Sequence, residues 1–262
     1  MKKLLFTCLT LLLAAASRAQ DPIRLTDEQA LDIGKKIFQN EAGGKTELLV
    51  HWNEGEEFAS LGIGHFIWYP KDYHEPFEES FPPLVKFLVA QGTPPPRWVV
   101  DAPYCPWPTK AAFDEEKPSP RTRELRDFLA STIALQARFA ANRLEQALPK
   151  ILAAAPVESR ARVSRQFYRV AQDPRGVYAL MDYVNFKGEG VKETERYKGQ
   201  GWGLMQVLQA MSGDAPGQPA LDEFARSAAD ALTTRVSNSP PERHEERWLS
   251  GWKKRLETYR QP

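Results

Sequence analysis

The sequence predicts an α+β fold that is mostly α-helical, with a small β-hairpin lobe at about residues 42–70 beside a larger helical lobe. Three observations lead there. A capped amphipathic helix opens the body of the chain, two short apolar runs around a polar turn follow it, and the stretch beyond residue 120 reads as helical segments divided by Gly, Pro and Ser.

The leader stands apart from that body. Lys2 and Lys3 precede an apolar run over 4–16 that is too short to span a bilayer, and Ser17-Arg18-Ala19 offers small residues where a signal peptidase reads. Residues 1–19 are therefore expected to be a signal peptide and 20–262 a single exported domain, periplasmic or secreted. Outside the leader Cys105 is the only cysteine, so no intramolecular disulfide is available and stability must come from a core. A composition of 42% hydrophobic and 26% charged residues suits such a core. Without Lys2, Lys3 and Arg18 the 35 basic residues fall to 32 against 34 acidic ones, a balance that argues against nucleic acid as a partner. No later segment is long and apolar enough to predict a membrane span.

The first helix is expected over 26–40, because Thr26 as N-cap and Gln29 three residues later make a capping box. Leu31, Gly34 and Phe38 mark its apolar side, and the same stripe reaches Glu41 before Ala42-Gly43-Gly44 stops the helix. Residues 48–52 and 58–68 then read as two strands of a hairpin around Asn53-Glu54-Gly55-Glu56, with Gly62 and Gly64 inside the second marking a bend or a close approach. From 69 to 120 the chain is rich in proline and aromatics, with one short helix near 84–90, and reads as a wrap over a surface. Pro120 opens a long helical region towards Leu152, bent at Pro149. Further helices are expected over 157–171, 176–186, 202–211, 221–236 and 242–259.

Glu41 is the leading candidate for chemistry. Proton delivery to a glycosidic oxygen near neutral pH needs a carboxyl group kept protonated by its surroundings. A helix-end position on a buried stripe favours that form through desolvation and through the negative end of the helix dipole. The reaction also needs a group on the far face of the sugar. Glu54, six residues before Ser60, is the residue chosen for it, with the Ser60 hydroxyl holding a water.

These residues resemble the phage-type lysozymes: a helix ending in Asn40-Glu41-Ala42-Gly43, then a hairpin, then Ser60-Leu61-Gly62-Ile63-Gly64-His65. The likeness covers roughly 33–66. It implies a lysozyme-like fold with a cleft between the lobes and cleavage of the β-1,4 link of peptidoglycan, with Glu41 as general acid. It also implies that Ser60 takes the place of a water-holding threonine and that His65 anchors the hairpin to the helical lobe; His65 is counted among the substrate-binding residues. The family's second acid is an aspartate. If Gly55 aligns with the family's hairpin glycine, Asn53 or Trp52 takes that place and a transglycosylase-like route with one carboxylate fits better. Downstream, Gly201-Trp202-Gly203-Leu204-Met205-Gln206 is similar to a run in lytic transglycosylases and goose-type lysozymes. At this distance from Glu41 it is read as cleft lining, with Trp202 as a stacking face and Gln206 as a hydrogen bonder.

Plainer readings apply to other polar residues. His51, His74 and His244 have no metal-ligand spacing, so no metal and no cofactor is expected. His65 reads as satisfied against a carbonyl, Cys105 as packed and inert, and the polar stretch from Asp182 through Asn185, Lys187 and Glu189 to Arg196 as a solvated loop. The expected function is an exported muramidase acting on peptidoglycan glycan strands. The alternatives are a non-catalytic binder of peptidoglycan or of a cell-wall enzyme, and an exported structural protein.

Overall fold

A computed structural model describes residues 22–74 and 77–261, and the expected signal peptide lies outside the described residues. The described chain is mostly helical with two small antiparallel sheets, the α+β class read from the sequence.

Helix α1, Asp27–Ala42, has both halves of its capping box, and Gly43 closes it in the left-handed conformation at φ 58°. Its buried side is Ala30, Ile33, Gly34, Ile37, Phe38 and Ala42, whereas Leu31, expected on that side, is exposed. Gly34 is where α6, Ile133–Ala154, crosses: a Cβ there would lie 2.6 Å from Ile133 Cγ2.

The expected two-stranded hairpin is a three-stranded sheet of β1 Val50–His51, β2 Ala59–Leu61 and β3 Phe66–Trp68 in the order β1-β2-β3. Residues 46–49 form a 3-10 turn, so β1 starts later than predicted. The expected second strand is broken because residues 62–65 turn the chain back on itself, with Gly62 at φ 70° and His65 at φ 47°. Apolar alternation continues through the turn, so periodicity alone reads the two strands as one. A Cβ on Gly62 would meet Gln136 Oε1 at 2.3 Å, and the same oxygen accepts the Ile63 N–H at 2.9 Å. Only glycine satisfies both the dihedral and the close approach.

The proline-rich segment covers the back of this sheet. It contains α2 Phe81–Ala90, α3 Arg97–Val100 and α4 Lys110–Glu116, the last two missed by the sequence reading. Trp68 packs on Phe81 and Trp107, and Trp52 and Trp107 both meet Phe113. Burial of these rings, each worth on the order of 2–3 kcal/mol, is what ties the wrap down. Cys105 is buried there, and burial pushes its thiol up to about 12.

The long helix expected over 120–152 is two helices, α5 Pro120–Ser131 and α6, divided at Thr132. Thr132 Oγ1 donates to the Phe128 carbonyl at 3.0 Å, so the side chain competes with the helix at the break. Pro149 sits inside α6 without ending it. Then follow α7 Val157–Ala171, α8 Pro174–Lys187, a two-strand ribbon of β4 Arg196–Tyr197 and β5 Gln200–Gly201, α9 Leu204–Ala210, α10 Gln218–Asn238 and α11 Glu246–Glu257. One continuous apolar cluster joins the sheet and the helices, from Leu49, Leu61 and Trp68 through Leu144 and Phe167 to Phe224 and Tyr259.

Candidate functional site

Six charged or polar side chains, from α1, α8, α11 and the 3-10 turn 258–260 that follows α11, meet at the end of α1. Glu41 lies in its last turn with its side chain 20% exposed, and Arg255 in the last turn of α11 donates from Nη2 to Glu41 Oε1 at 2.6 Å. The same guanidinium donates to both oxygens of Asp182 on α8, at 2.7 Å from Nη2 and 2.9 Å from Nε. Asn40 gives its amide N–H to Asp182 Oδ1 at 3.1 Å and to the Tyr178 hydroxyl at 2.7 Å, and Tyr259 donates to Asp182 Oδ2 at 2.5 Å.

This network corrects two expectations. Asp182 was assigned to a solvated loop, yet it faces inward from the middle of α8 and is 1% exposed. For Glu41 the expectation is partial desolvation at a helix end, with no cation beside it, and the structure places the Arg255 guanidinium there. Burial opposes the Arg255 charge, but its hydrogen bonds and charge interactions with Asp182 and Glu41 win and raise its pKa above the ordinary arginine value. A buried carboxylate as close as Asp182 is satisfied only with such donors around it.

The hairpin reaches Glu41 through its turn. His65 Nδ1 stands 3.8 Å from Glu41 Oε2. The left-handed conformation of His65 aims the ring at α1, and its Nε2 is buried without a hydrogen-bond partner among the described residues, so no carbonyl satisfies it. Ser60 is buried in β2 with Ile67 opposite on β3 and His51 opposite on β1. Opposed residues share a face of an antiparallel pair, so His51, Ser60 and Ile67 form one row, while Val50, Leu61 and Phe66 form a row on the other face.

His51 was not among the expected site residues. Its Nδ1 is buried and unpartnered among the described residues, so its hydrogen bond with the Asn53 side chain uses Nε2. Asn53 in turn donates from Nδ2 to Glu56 Oε2 at 2.9 Å, which leaves its carbonyl oxygen to accept from His51. Burial lowers the His51 pKa below 6.5, and the charges of Lys117 and His65 lower it further against the Asn53 bond. The ring is therefore neutral at pH 7 with its Nδ1 lone pair free. Glu54, the expected second acid, is 91% exposed and pairs with Lys110 of α4 at 3.4 Å. Cross-strand register reveals His51 only once β1 is seen to begin at Val50 and to pair with β2, which sets His51 opposite Ser60.

A small pocket of about 70 Å³ lies between β3 and helices α6 and α8, lined by Phe66, Arg143, Leu144, Met181, Asn185 and Glu189. Glu189 is held by Lys150 at 2.9 Å. Trp202 and Gln206, expected to line a substrate cleft, are committed elsewhere. The Trp202 ring is buried, with Arg235 stacked 4.1 Å from its centroid, and its carbonyl accepts from the Tyr183 hydroxyl at 2.7 Å. Gln206 donates to the Gly190 carbonyl at 3.1 Å and fills the space left by Gly190 and Gly201. The Gly-Trp-Gly-Leu-Met-Gln run thus ties the β4–β5 ribbon to α9.

No cluster of three or more His, Cys, Asp or Glu side chains among the described residues is arranged to hold a metal ion. Among the described residues no helix is long and apolar enough to cross a membrane. Compared with protein-family models, with curated proteins and with solved structures, the chain matches none.

Proposed function

We propose that the protein is an exported muramidase that cleaves the β-1,4 glycan strand of peptidoglycan on a lysozyme-like fold, with Glu41 as general acid. The observation that carries this reading is the approach of His65 Nδ1 to Glu41 Oε2 at 3.8 Å, which joins the helix-end glutamate to the Ser-Leu-Gly-Ile-Gly-His run. Both halves of the resemblance to phage-type lysozymes then belong to one site.

In this mechanism Glu41 delivers a proton to the glycosidic oxygen as the bond to the anomeric carbon breaks. A water on the far face of the sugar attacks that carbon, and a shift of the hairpin that uncovers the buried Nδ1 of His51 lets that nitrogen take the water's proton. The neutral imidazole fills the role expected of a second carboxylate, which accords with the outward position of Glu54. For Glu41 to act as donor, Arg255 must give up its contact with Oε1 and keep its two bonds to Asp182.

The second reading is a glycan-binding protein without turnover. Its support is that Arg255 contact, 2.6 Å long, which engages Glu41 as a hydrogen-bond acceptor.

Purified protein lacking residues 1–19 and its Glu41→Gln variant, incubated with peptidoglycan sacculi, separate the two. Muropeptides with reducing ends, released by the parent and about 10²–10⁴-fold more slowly by the variant, are the expected result. Anhydro ends would replace water attack by intramolecular transfer. Binding without release would leave the second reading, and equal release by both proteins would remove Glu41 from the mechanism.

A further inference from the structure

Lys187, the last residue of α8, carries an ammonium group that the fold does not require. Its side chain is 9% exposed, and Nζ lies 3.4 Å from the centroid of the Trp252 ring and 3.9 Å from that of Phe186. Among the described residues it forms no hydrogen bond and no ion pair, although an ammonium offers three donors. The neighbouring cations are all engaged. Arg235 donates to both oxygens of Glu245 at 2.7 and 2.8 Å, Arg243 lies 3.3 Å from the same carboxylate, and Arg255 holds Asp182 and Glu41. Ring faces offset the desolvation of a buried ammonium only in part. A Met or Leu would fill the same space without that cost.

The surface beside Lys187 is aromatic and continuous with the Glu41 site. Trp248, Trp252 and Arg255 recur at i, i+4 and i+7 on one face of α11, which sets Trp248 about 10 Å along the axis from Arg255. Trp248 is 41% exposed, and its ring lies 6.0 Å from that of Trp252 at an interplanar angle of 33°. Phe186 bridges back to the site, 6.3 Å from Trp252 and with the Arg255 guanidinium 4.5 Å above it. A pyranose presents a face of C–H bonds that lies flat on an indole, and about 10 Å is the length of two linked sugars. Arg247 adds a positive charge, 4.5 Å from the Trp248 ring.

We propose that Lys187 with the Trp248–Trp252 face forms a subsite for a carboxylate-bearing sugar of the glycan strand, the ring stacked on Trp248 and the carboxylate on the Lys187 ammonium. The inference rests on the glycan-cleaving reading and specifies its substrate: an acidic strand is preferred to a neutral one of the same backbone. The electrostatics accord with a site completed by its ligand. Burial first, then the charges of Arg235 and Arg255, lower the Lys187 pKa to about 7 against the opposing charge of Glu245. An anion at Nζ favours the charged form, so affinity for acidic strands falls as pH rises past 7.

The test measures binding of peptide-free peptidoglycan glycan strands, whose sugar carboxylates are exposed, by calorimetry in a Glu41→Gln background, which keeps the strands intact. The strands are used either with free carboxylates or with the same groups amidated by carbodiimide. Lys187→Gln is expected to weaken binding of the acidic strands about tenfold and leave the amidated strands unchanged. Trp248→Ala is expected to weaken both. The parent should lose affinity for acidic strands between pH 6 and pH 8.5, and Lys187→Gln should show no such loss. Lys187→Met, which keeps the packing, must behave as Lys187→Gln does. Acidic strands that bind the parent and both Lys187 variants alike overturn the subsite and leave the cleavage reading standing. A Lys187 loss of equal size on both kinds of strand also overturns it, because the ammonium would then serve only the fold. Absence of binding by the parent and by the protein with Glu41 intact overturns the subsite and the glycan reading together.

Discussion

Glu41 and Arg255 are 214 positions apart, at the ends of the first and last α-helices, and meet through a 2.6 Å hydrogen bond. Arg255 also binds Asp182 through two further bonds, so one guanidinium fastens α1, α8 and α11 at the candidate active site. Removing it leaves a 1%-exposed carboxylate facing only Asn40 and Tyr259. Arg255→Ala is expected to destabilise the protein by about 3–5 kcal/mol, the cost of breaking a buried pair on one side. Urea unfolding of Arg255→Ala, Asp182→Leu and the double variant checks this. If the double variant loses as much as the two single losses added, Arg255 and Asp182 are energetically independent and the fastening role is lost.

The row formed by His51 and Ser60 leads to a second prediction. His51 presents an unpartnered Nδ1 on the face it shares with Ser60, and Asn53 holds its other nitrogen. Glu54 points to solvent. His51→Ala should slow glycan hydrolysis about 10²-fold, whereas Glu54→Gln should leave the rate within about twofold of the parent. Because the neutral imidazole is the active form and its pKa is lowered by burial and by Lys117 and His65, the parent should keep its rate as pH falls to 6.5 and lose it only below that. A rate that depends on Glu54 and ignores His51 would restore the carboxylate expected from the sequence.

How far these features could be read in advance depends on the range of the interaction. The capping box of α1 is local, and Thr26 and Gln29 do what their spacing implies. Helix α7 likewise spans the residues expected from its amphipathic pattern. The turn at 62–65 escaped because its apolar alternation continues across it, and no glycine marks the positive φ of His65. The division at Thr132 has no Gly or Pro to announce it. Asp182 was misread because its partner lies 73 positions away, and an acid among polar neighbours looks solvated until that arginine is placed. Glu41 was legible as a helix end; its environment was not.

A third prediction concerns Gly62. Its φ of 70° lies in the left-handed region, and any Cβ would be driven into Gln136 Oε1, which accepts the next backbone N–H. Gly62→Ala is expected to cost about 1–3 kcal/mol from the dihedral alone. Displacing Gln136 adds to that, since its amide N–H also donates to the Leu129 carbonyl at 2.7 Å. Thermal melting of Gly62→Ala against Gly64→Ala makes the comparison internal, because Gly64 has no positive φ and its Cβ would meet only the edge of Phe66 at 3.2 Å. Equal losses at the two positions would show that the turn tolerates a side chain at 62.

The last prediction is a pH dependence set by Glu245. Its side chain is wholly buried, with Arg235 donating to both of its oxygens and the Tyr197 hydroxyl donating at 2.9 Å. The Arg235 bonds hold its pKa below the ordinary carboxylate value against the cost of burial, and Tyr197 adds to them. In the unfolded chain a glutamate takes up its proton near pH 4.3, about the model-peptide value. Between that value and the lower folded one the unfolded chain binds the extra proton, so stability falls as pH falls. The contribution is fully present above the unfolded value and is lost on descending through the folded one. Glu245→Gln should therefore be less stable than the parent by about 3–5 kcal/mol at pH 7, where it leaves Arg235 buried without its counter-ion. Below the folded value both proteins carry an uncharged group at this position, and their unfolding free energies should converge. Urea denaturation at steps from pH 7 to pH 3 reads the difference directly. A gap that stays constant over that range would show that Glu245 supports the fold through its shape and not through its charge.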